Sequence, residues 1–361
     1  MNTRRRAKTE PAEGKFLSKR GRRGAAVAAL LLCLLFLPCA ISCAPAPNFL
    51  SSYCEFSYLD GDRDAEKNAR ALLDRFEAEI STQYADSDIS KLNRAEGGQP
   101  VQVGETCARL LLFCKSQYES DRTDGLFSPS LYALSELWGF GNKEYRVPSA
   151  SEIAETLAFC DFSEVEISGN VVTKKYTETK FDLGGMAKGF ALQMIRDSLK
   201  EDGATRALVN LAGSFLIEGK KPDGSEYRIG IEDPRATETG YAAAAILELS
   251  DGYVSTSSDA ENFFVSEGKR YCHILDPRTG APAESDLLSV TVVWQTGGEE
   301  SGGALSDLWS TAFFLMGRER AMNYAVEHGI SVFLLGKDGK YFTNLPLAEP
   351  TEDVNPEYSP L

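Results

Sequence analysis

Positive charge is scarce in this sequence. It contains 38 Lys and Arg residues against 53 Asp and Glu residues, which gives a formal net charge of −15 at pH 7. The basic residues are concentrated near the N-terminus, so the rest of the chain is still more acidic. Such a surface repels nucleic acid and anionic lipid. A polyanionic partner is therefore disfavoured, and a small anionic ligand would need local cations or a metal ion to hold it.

Histidine is also scarce, and the cysteines lack the spacing of a metal site. The chain has 2 histidines and 8 cysteines, with no CxxC pair and no histidine at the spacing of a zinc motif. These spacings disfavour zinc and do not imply a complete set of disulfides. Cys107 and Cys114 lie on one apolar helical pattern, which predicts small buried residues.

The chain lacks an internal repeat and a run of apolar residues long enough to span a membrane comfortably. Its N-terminus instead has a basic segment, apolar residues 25–37 and the tripeptide Ala-Ile-Ser before Cys43. This is the layout of an export signal with a lipidation site, so we predict a signal peptide at 1–42 and a lipid-anchor tether at 43–50. Because Ala40 stands where Leu is usual, simple cleavage or an uncleaved anchor are the alternatives. We expect an exported lipoprotein, anchored to the membrane on its extracytoplasmic face.

Residues 51–346 are predicted to form one domain. Helical and strand patterns mix there without regular βαβ alternation, which favours an α+β fold. We expect mixed sheets with packed helices in one compact, two-layered body. Residues 347–361 are rich in Pro and acidic residues, which predicts a disordered acidic tail.

A strand–turn–helix pattern near the middle of the chain suggests an anion site. Residues 179–183 alternate like a short strand, Gly184-Gly185 permit a sharp turn, and apolar residues recur at helical spacing from Ala187 onward. The N–H groups at a helix N-terminus attract phosphate, and Lys188 adds a positive charge, with Asp182 across the turn. The glycine spacing fits neither a Walker A loop nor a Rossmann fingerprint. The alternative is a tightly packed turn with a solvated lysine.

Two further places carry candidate chemistry. Asp307 and Thr311 lie four residues apart in a helical pattern and so share one face. With a nearby carbonyl they offer the hard oxygen ligands that suit Mg²⁺ bound together with a phosphate; the alternative is a helix-capping Asp and a core-facing Thr. His273 ends a strand before an Asp-Pro turn, where it is a general base, a phosphate ligand or a satisfied core histidine.

Together these segments resemble the ApbE family of bacterial flavin transferases, formerly described as thiamine-biosynthesis lipoproteins. The resemblance runs from about residue 76 to 343. Its most specific segments are Asp-Leu-Gly-Gly-Met-Ala-Lys-Gly at 182–189, His-Ile-Leu-Asp-Pro-Arg-Thr-Gly at 273–280, and residues 307–311. Several independent motifs in the same order make the resemblance specific.

The resemblance implies a Mg²⁺-dependent enzyme with FAD as substrate. It would transfer FMN to a Thr or Ser hydroxyl of a flavin-accepting protein, such as a membrane redox-complex subunit, and release AMP. By the resemblance, Asp307, Thr311 and the carbonyl of Gly185 hold the metal, and His273 lies beside the reacting hydroxyl. The residues expected to line the FAD site are Tyr84, Leu126, Phe127, Ser128, Asp182, Lys188 and Leu275.

The chain departs from the family pattern at three places. A Met-Gly-Thr segment is absent around residues 54–59, Ser128 stands where Asp is usual, and Asn262 stands where Arg is common. Two alternatives to the transferase therefore stay open. One is an Mg²⁺-dependent FAD pyrophosphatase, which uses water as acceptor and gives FMN and AMP. The other is a non-catalytic flavin-binding lipoprotein.

Overall fold

The computed structural model describes residues 48–49, 52–120, 122–296 and 301–361. The predicted signal peptide, residues 1–42, lies outside these ranges, and so does the predicted tether except for residues 48–49. Among the described residues, no helix combines the length and the apolar character needed to cross a bilayer.

Helices form where apolar residues recur at helical spacing. In α1 this spacing buries Leu73, Phe76 and Ile80, and a capping box of Ser149 and Glu152 begins α5. The helices are α1 (Ala65–Ile80), α2 (Asp88–Arg94), α3 (Glu105–Ser120), α4 (Tyr132–Trp138), α5 (Ala150–Leu157), α6 (Gly184–Glu201), α7 (Ala236–Thr239), α8 (Gly302–Met316) and α9 (Arg318–His328).

The strands are short, and most of them belong to one sheet. They are β1 (Asn48–Phe49), β2 (Ser52–Ser57), β3 (Val101–Gln102), β4 (Val165–Ser168), β5 (Val171–Lys174), β6 (Ala207–Leu211), β7 (Ser214–Glu218), β8 (Tyr227–Glu232), β9 (Ala243–Leu249), β10 (Gly252–Ser258), β11 (Phe263–Ser266), β12 (Lys269–Cys272), β13 (Leu287–Trp294), β14 (Ser331–Gly336), β15 (Lys340–Thr343) and β16 (Ser359–Pro360). The main sheet has the order β1-β2-β6-β7-β10-β13-β14-β15-β16. Its neighbours pair antiparallel, except that β15 and β16 are parallel.

The main sheet separates two apolar cores. Because side chains alternate along a strand, β14 directs Val332 and Leu334 to the helices and Phe333 and Leu335 to the opposite face. The opposite face is covered by the β8–β9 hairpin. The predicted α+β class, with mixed sheets and packed helices, is confirmed. The small β8–β9 layer adds to the two layers that the sequence predicted.

Helix α8 is the central helix and is buried around almost its whole circumference. It packs against β10, β13 and α6. At the contact with α6, a Cβ added to Gly189 would collide with the carbonyl oxygen of Gly303, and a Cβ added to Gly303 would collide with that of Gly189. The two backbones therefore touch, and this brings polar side chains of α8 to the first turns of α6.

Two local predictions around the site differ from the structure. Residues 179–183 form a single bridge, between Leu131 and Lys180, rather than a strand. Gly184 and Gly185 are not a turn but the first residues of α6. The helix starts early because the carboxylate of Asp182 accepts the N–H of Gly184, at 2.8 Å, and so satisfies a first-turn donor.

The polar, turn-rich composition of residues 83–93 predicts a surface loop, but the second half of this segment lies in α2. Ser87 caps this helix by accepting the N–H of Ser90 at 3.0 Å, and Ile89 and Leu92 are fully buried. The cap and the apolar pair outweigh the polar composition.

Residues 347–361 also differ from the disordered tail expected from their composition. Strand β16 pairs with β15, and Asn355 and Tyr358 donate hydrogen bonds to the buried carboxylate of Asp233, at 2.9 and 2.7 Å. Specific contacts of two polar side chains therefore order a segment with few apolar residues.

Candidate functional site

A cavity of about 420 Å³ opens where α6 begins, between α8 and the residues around β11 and β12. The predicted site residues Leu126, Phe127, Ser128, Asp182, Gly185, Lys188, His273, Leu275, Asp307 and Thr311 all line it. Tyr84 does not line it and is 50% exposed, although its neighbours Thr82 and Gln83 are part of the wall. Residues distant in sequence thus meet in one place, as the motifs suggested.

The first turn of α6 forms one wall of the cavity. Asp182 and Gly185 have exposed surface and line the cavity. The first turn of a helix carries the positive end of the helix dipole, although in α6 the N–H groups of Gly184 and Met186 already donate to Asp182 and to the carbonyl of Leu183. Although part of its surface is open to the cavity, the protein around Asp182 desolvates the carboxylate and raises its pKa, while the N–H of Gly184, His273 and Lys188 oppose that rise.

Asp307 is only 4% exposed and reaches α6 across the glycine contact. Its Oδ2 accepts the N–H of Gly189 at 2.9 Å. In a regular helix that N–H would donate to the carbonyl of Gly185, so Asp307 competes for it with the carbonyl that the resemblance assigns to the metal. Asp307 lies in the middle of α8, and it therefore does not cap that helix.

The ammonium group of Lys188 interacts electrostatically with three carboxylates at this wall. The pKa of Lys188 is raised, above all by the charge of Asp307, with Glu261 and Asp182 adding to the effect. Burial raises the pKa of Asp307, and Lys188 and the N–H of Gly189 oppose the rise. A half-buried cation next to a buried carboxylate at a helix start suits a ligand with phosphate groups.

Thr311 is held by hydroxyl groups of β10. Its Oγ1 lies 3.1 Å from Oγ of Ser257, which also lies 2.8 Å from Oγ of Ser310. Two residues earlier on β10, Oγ of Ser255 lies 2.9 Å from Oγ of Ser306. These hydroxyls fix the polar face of α8 that contains Asp307 and Thr311.

His273 is oriented by the main chain of Asn262. The carbonyl of Asn262 accepts the N–H of His273 at 2.9 Å and lies 3.2 Å from ring Nδ1. Because a carbonyl oxygen only accepts, Nδ1 holds the proton and Nε2 keeps its lone pair. Burial lowers the pKa of His273, Glu261 opposes this, and Lys188 lowers the pKa further. The ring is thus neutral near pH 7, with Nε2 unprotonated.

The remaining predicted residues form apolar and polar parts of the wall. Leu126 and Leu275 are buried and Phe127 is half-buried. The hydroxyl of Ser128 lies 2.9 Å from that of Ser130, so Ser128 is tied to its own loop in this structure. That these residues contact FAD stays a prediction.

Three wall residues were missed as functional candidates. Ser257 contacts the hydroxyl of Thr311, and Asn262 supplies the carbonyl that orients His273. The charge of Glu261 acts on His273 and on Lys188. The run of hydroxyl residues at 255–258, in which Ser255 and Ser257 share one face of β10, was the available signal for Ser257. The role of Asn262 rests on its backbone, so its side-chain type gave no signal.

The oxygen donors fit a magnesium ion. Among the described residues, no group of three or more His, Cys, Asp and Glu side chains could hold a metal. An ion here would therefore depend on one carboxylate, a hydroxyl and a carbonyl, with phosphate oxygens and water completing the shell. Mg²⁺ is commonly bound in this way, whereas zinc needs more nitrogen or sulfur ligands.

Comparison with known proteins agrees with the geometry. A model of the ApbE family matches residues 50–334. The FAD:protein FMN transferase of Vibrio cholerae serotype O1 is 30% identical over 268 residues, which cover 74% of this chain and 77% of the relative. The one from Treponema pallidum is 31% identical over 265 residues, covering 69% and 70%.

Solved structures give the same result for the fold. The crystal structure of the ApbE protein from Thermotoga maritima has a TM-score of 0.71 and 29% identity, and the match covers 82% of this chain and 94% of the other. The apo flavinyl transferase ApbE of Pseudomonas stutzeri has a TM-score of 0.68 and 30% identity, covering 81% and 94%. The resemblance seen in the motifs is confirmed, and this chain belongs to the ApbE family.

Proposed function

We propose that this protein is a Mg²⁺-dependent FAD:protein FMN transferase. It would attach FMN from FAD covalently to a Thr or Ser hydroxyl of a target protein and release AMP. One observation carries the proposal: a neutral histidine, the buried carboxylate of Asp307 and the half-buried ammonium of Lys188 line the same cavity at the start of α6. The relatives named FAD:protein FMN transferase support the reaction class.

In this proposal the wall at α6 and α8 binds the pyrophosphate. Asp307, Thr311 and the carbonyl of Gly185 would hold Mg²⁺, which neutralises negative charge on the phosphates as AMP departs. Lys188 and the positive end of the α6 dipole attract phosphate oxygens. Leu126, Phe127 and Leu275 offer apolar surface to the rings.

His273 would activate the acceptor. Its Nε2 takes the proton of the acceptor hydroxyl, whose oxygen then forms a bond with the phosphorus of the FMN half. The bond between that phosphorus and the bridging oxygen breaks, and AMP leaves with the bond electrons. The carbonyl of Asn262 holds the ring so that Nε2 is the atom available as base.

We also propose that the protein is exported and acts on the extracytoplasmic face of a membrane, anchored by a lipid at Cys43. The basic and apolar N-terminal segments and the Ala-Ile-Ser-Cys sequence support this. Membrane redox-complex subunits on that face are then the acceptors within reach. Mass spectrometry of the membrane-bound protein tests the anchor: an unmodified or absent Cys43 would contradict it.

The function is tested by incubating the protein with FAD, Mg²⁺ and such a subunit. We expect covalent flavin fluorescence on the subunit after denaturing electrophoresis, with AMP released in equal amount. The Asp307→Ala variant should give neither. AMP release without any acceptor would favour the pyrophosphatase, and tight FAD binding without AMP would favour a non-catalytic flavin-binding protein.

A further inference from the structure

The side chain of Asn93 makes two hydrogen bonds with the backbone of Phe181, which directly precedes the cavity residue Asp182. Its Oδ1 accepts the N–H of Phe181 at 2.7 Å, and its Nδ2 donates to the carbonyl of Phe181 at 3.0 Å. A carboxamide offers one acceptor and donor groups, as a peptide group does. Asn93 thus makes the pair of bonds that a residue on a neighbouring strand would make.

The opposite edge of the same segment is held by the cavity wall. The N–H of Asp182 donates to the carbonyl of Pro129 at 3.0 Å, and the N–H of Tyr132 donates to the carbonyl of Lys180 at 3.3 Å. In an extended chain, successive residues direct their polar groups to opposite sides. Residues 180–182 are therefore fixed on both sides, and Asn93 replaces the strand that one side lacks.

The backbone of Asn93 is itself held in place by buried contacts. It lies on α2, which is anchored by the fully buried Ile89 and Leu92. The ammonium of the buried Lys174 donates to the carbonyl of Asn93 at 3.3 Å and to that of Thr179 at 2.8 Å. The same cation thus ties Asn93 to the chain that leads into Phe181.

We propose that Asn93 is a positioning residue for the FAD and metal site. Phe181 is followed directly by Asp182, whose carboxylate begins α6 at Gly184, next to the proposed metal ligand Gly185. By fixing Phe181, Asn93 sets where Asp182 and the first turn of α6 stand. The inference rests on the proposed function only for the identity of the ligand.

The test compares two asparagines whose side chains each bind one backbone N–H and one backbone carbonyl. Asn344 accepts the N–H of Val332 at 2.8 Å and donates to the carbonyl of Ile330 at 2.9 Å, outside the cavity. We expect Asn93→Ala to raise the Kd for FAD by roughly 10- to 100-fold, since small displacements in a site are costly. Asn344→Ala should leave this Kd unchanged at a comparable loss of melting temperature. FAD binding by Asn93→Ala equal to that of the intact protein, or equal weakening by both variants, would overturn the proposal.

A second measurement does not depend on FAD. Hydrogen exchange of a peptide covering residues 179–190 should be faster in Asn93→Ala than in the intact protein and unchanged in Asn344→Ala. If the intact protein failed to bind FAD, the proposed function would fail, yet faster exchange would still support the positioning of Phe181 by Asn93. Exchange in Asn93→Ala equal to that of the intact protein would contradict the proposed role of Asn93.

The Asn93→Asp variant covers the case in which Asn93→Ala does not fold. Its carboxylate still accepts the N–H of Phe181 but cannot donate to the carbonyl, so only one of the two hydrogen bonds remains. We expect an intermediate Kd for FAD, with the acid limb of the pH–rate profile unmoved, because His273 is positioned by Asn262. A Kd like that of the intact protein would contradict the proposal.

Discussion

Asp307 combines a structural contact with a proposed metal contact. Its Oδ2 already accepts the N–H of Gly189, and it is the only carboxylate in the proposed ligand set. Mg²⁺ dehydrates reluctantly and needs a strong anionic ligand. The two functions of the carboxylate can be separated, because an amide oxygen can still accept from Gly189 but carries no charge.

We therefore predict that Asp307→Ala and Asp307→Asn both abolish Mg²⁺-dependent activity. Asn should retain more of the stability, which thermal unfolding measures. Thr311→Val should weaken Mg²⁺ affinity, seen as a higher Mg²⁺ concentration for half-maximal activity, with little change in unfolding. Full activity of Asp307→Ala at limiting Mg²⁺ would show that the metal lies elsewhere.

His273 gives a pH prediction whose sign follows from its surroundings. Burial lowers its pKa below the usual 6.5, with Lys188 acting in the same direction and Glu261 and Asp182 against it. A base must be unprotonated to act, so a lowered pKa preserves activity at lower pH. We expect the acid limb of kcat/KM to fall below pH 6.5, and His273→Ala to slow transfer by roughly 10²- to 10⁴-fold. A limb at or above that pH would contradict the assignment.

At the scale of elements, the α6–α8 contact decides whether Asp307 reaches its partner. We predict that Gly189→Ala costs about 1–3 kcal/mol of stability, as overpacked sites do, and weakens Mg²⁺ binding by separating the helices. Gly230→Ala is the control, because its added Cβ meets only the Cβ of Ala243, at 3.8 Å. Chemical denaturation and a Mg²⁺ titration measure both effects. Equal behaviour of the two variants would show that the close approach is not needed.

Some elements could be predicted from the sequence because their information is local. The spacing of Leu73, Phe76 and Ile80 sufficed for α1, and the four-residue spacing of Asp307 and Thr311 put both on one helix face. The strand prediction for residues 179–183 is wrong. Their side chains alternate as in a strand, but one of their hydrogen-bond partners is the side chain of Asn93 and not a neighbouring strand. A strand pattern records which faces are buried and not what supplies the hydrogen bonds.

The contacts that assemble the site are long-range and were not predictable from spacing. Gly189 and Asp307 are 118 positions apart, and nothing in either local sequence indicates the other. Motif resemblance nevertheless selected residues that line one cavity, because the family's motifs preserve what the folded chain brings together. Tyr84 is the predicted residue that the cavity does not include.

At the scale of the whole molecule, the C-terminal segment completes the fold. Tyr358 and Asn355 satisfy the buried carboxylate of Asp233, which also accepts the N–H of Arg235 at 2.8 Å. We predict that Tyr358→Phe costs roughly 1.5–3 kcal/mol, since a hydrogen bond to a charged acceptor is lost. Tyr118→Phe is the matched control, because its bond to Asp161 lies at the exposed surface. If denaturation gave equal losses for both, the segment would be a passive extension.

The five described cysteines are all free and all buried, so their reactivity reports local unfolding of the structure around them. Burial raises the pKa of the Cys54 thiol to about 11 and that of Cys160 to about 12, and it raises those of Cys107, Cys114 and Cys272 as well. Thiolates are the reactive form, so these groups react with alkylating reagents only while the surrounding structure is open. The labelling rate at each cysteine therefore measures how often the structure around it unfolds locally, and no probe has to be introduced by mutation.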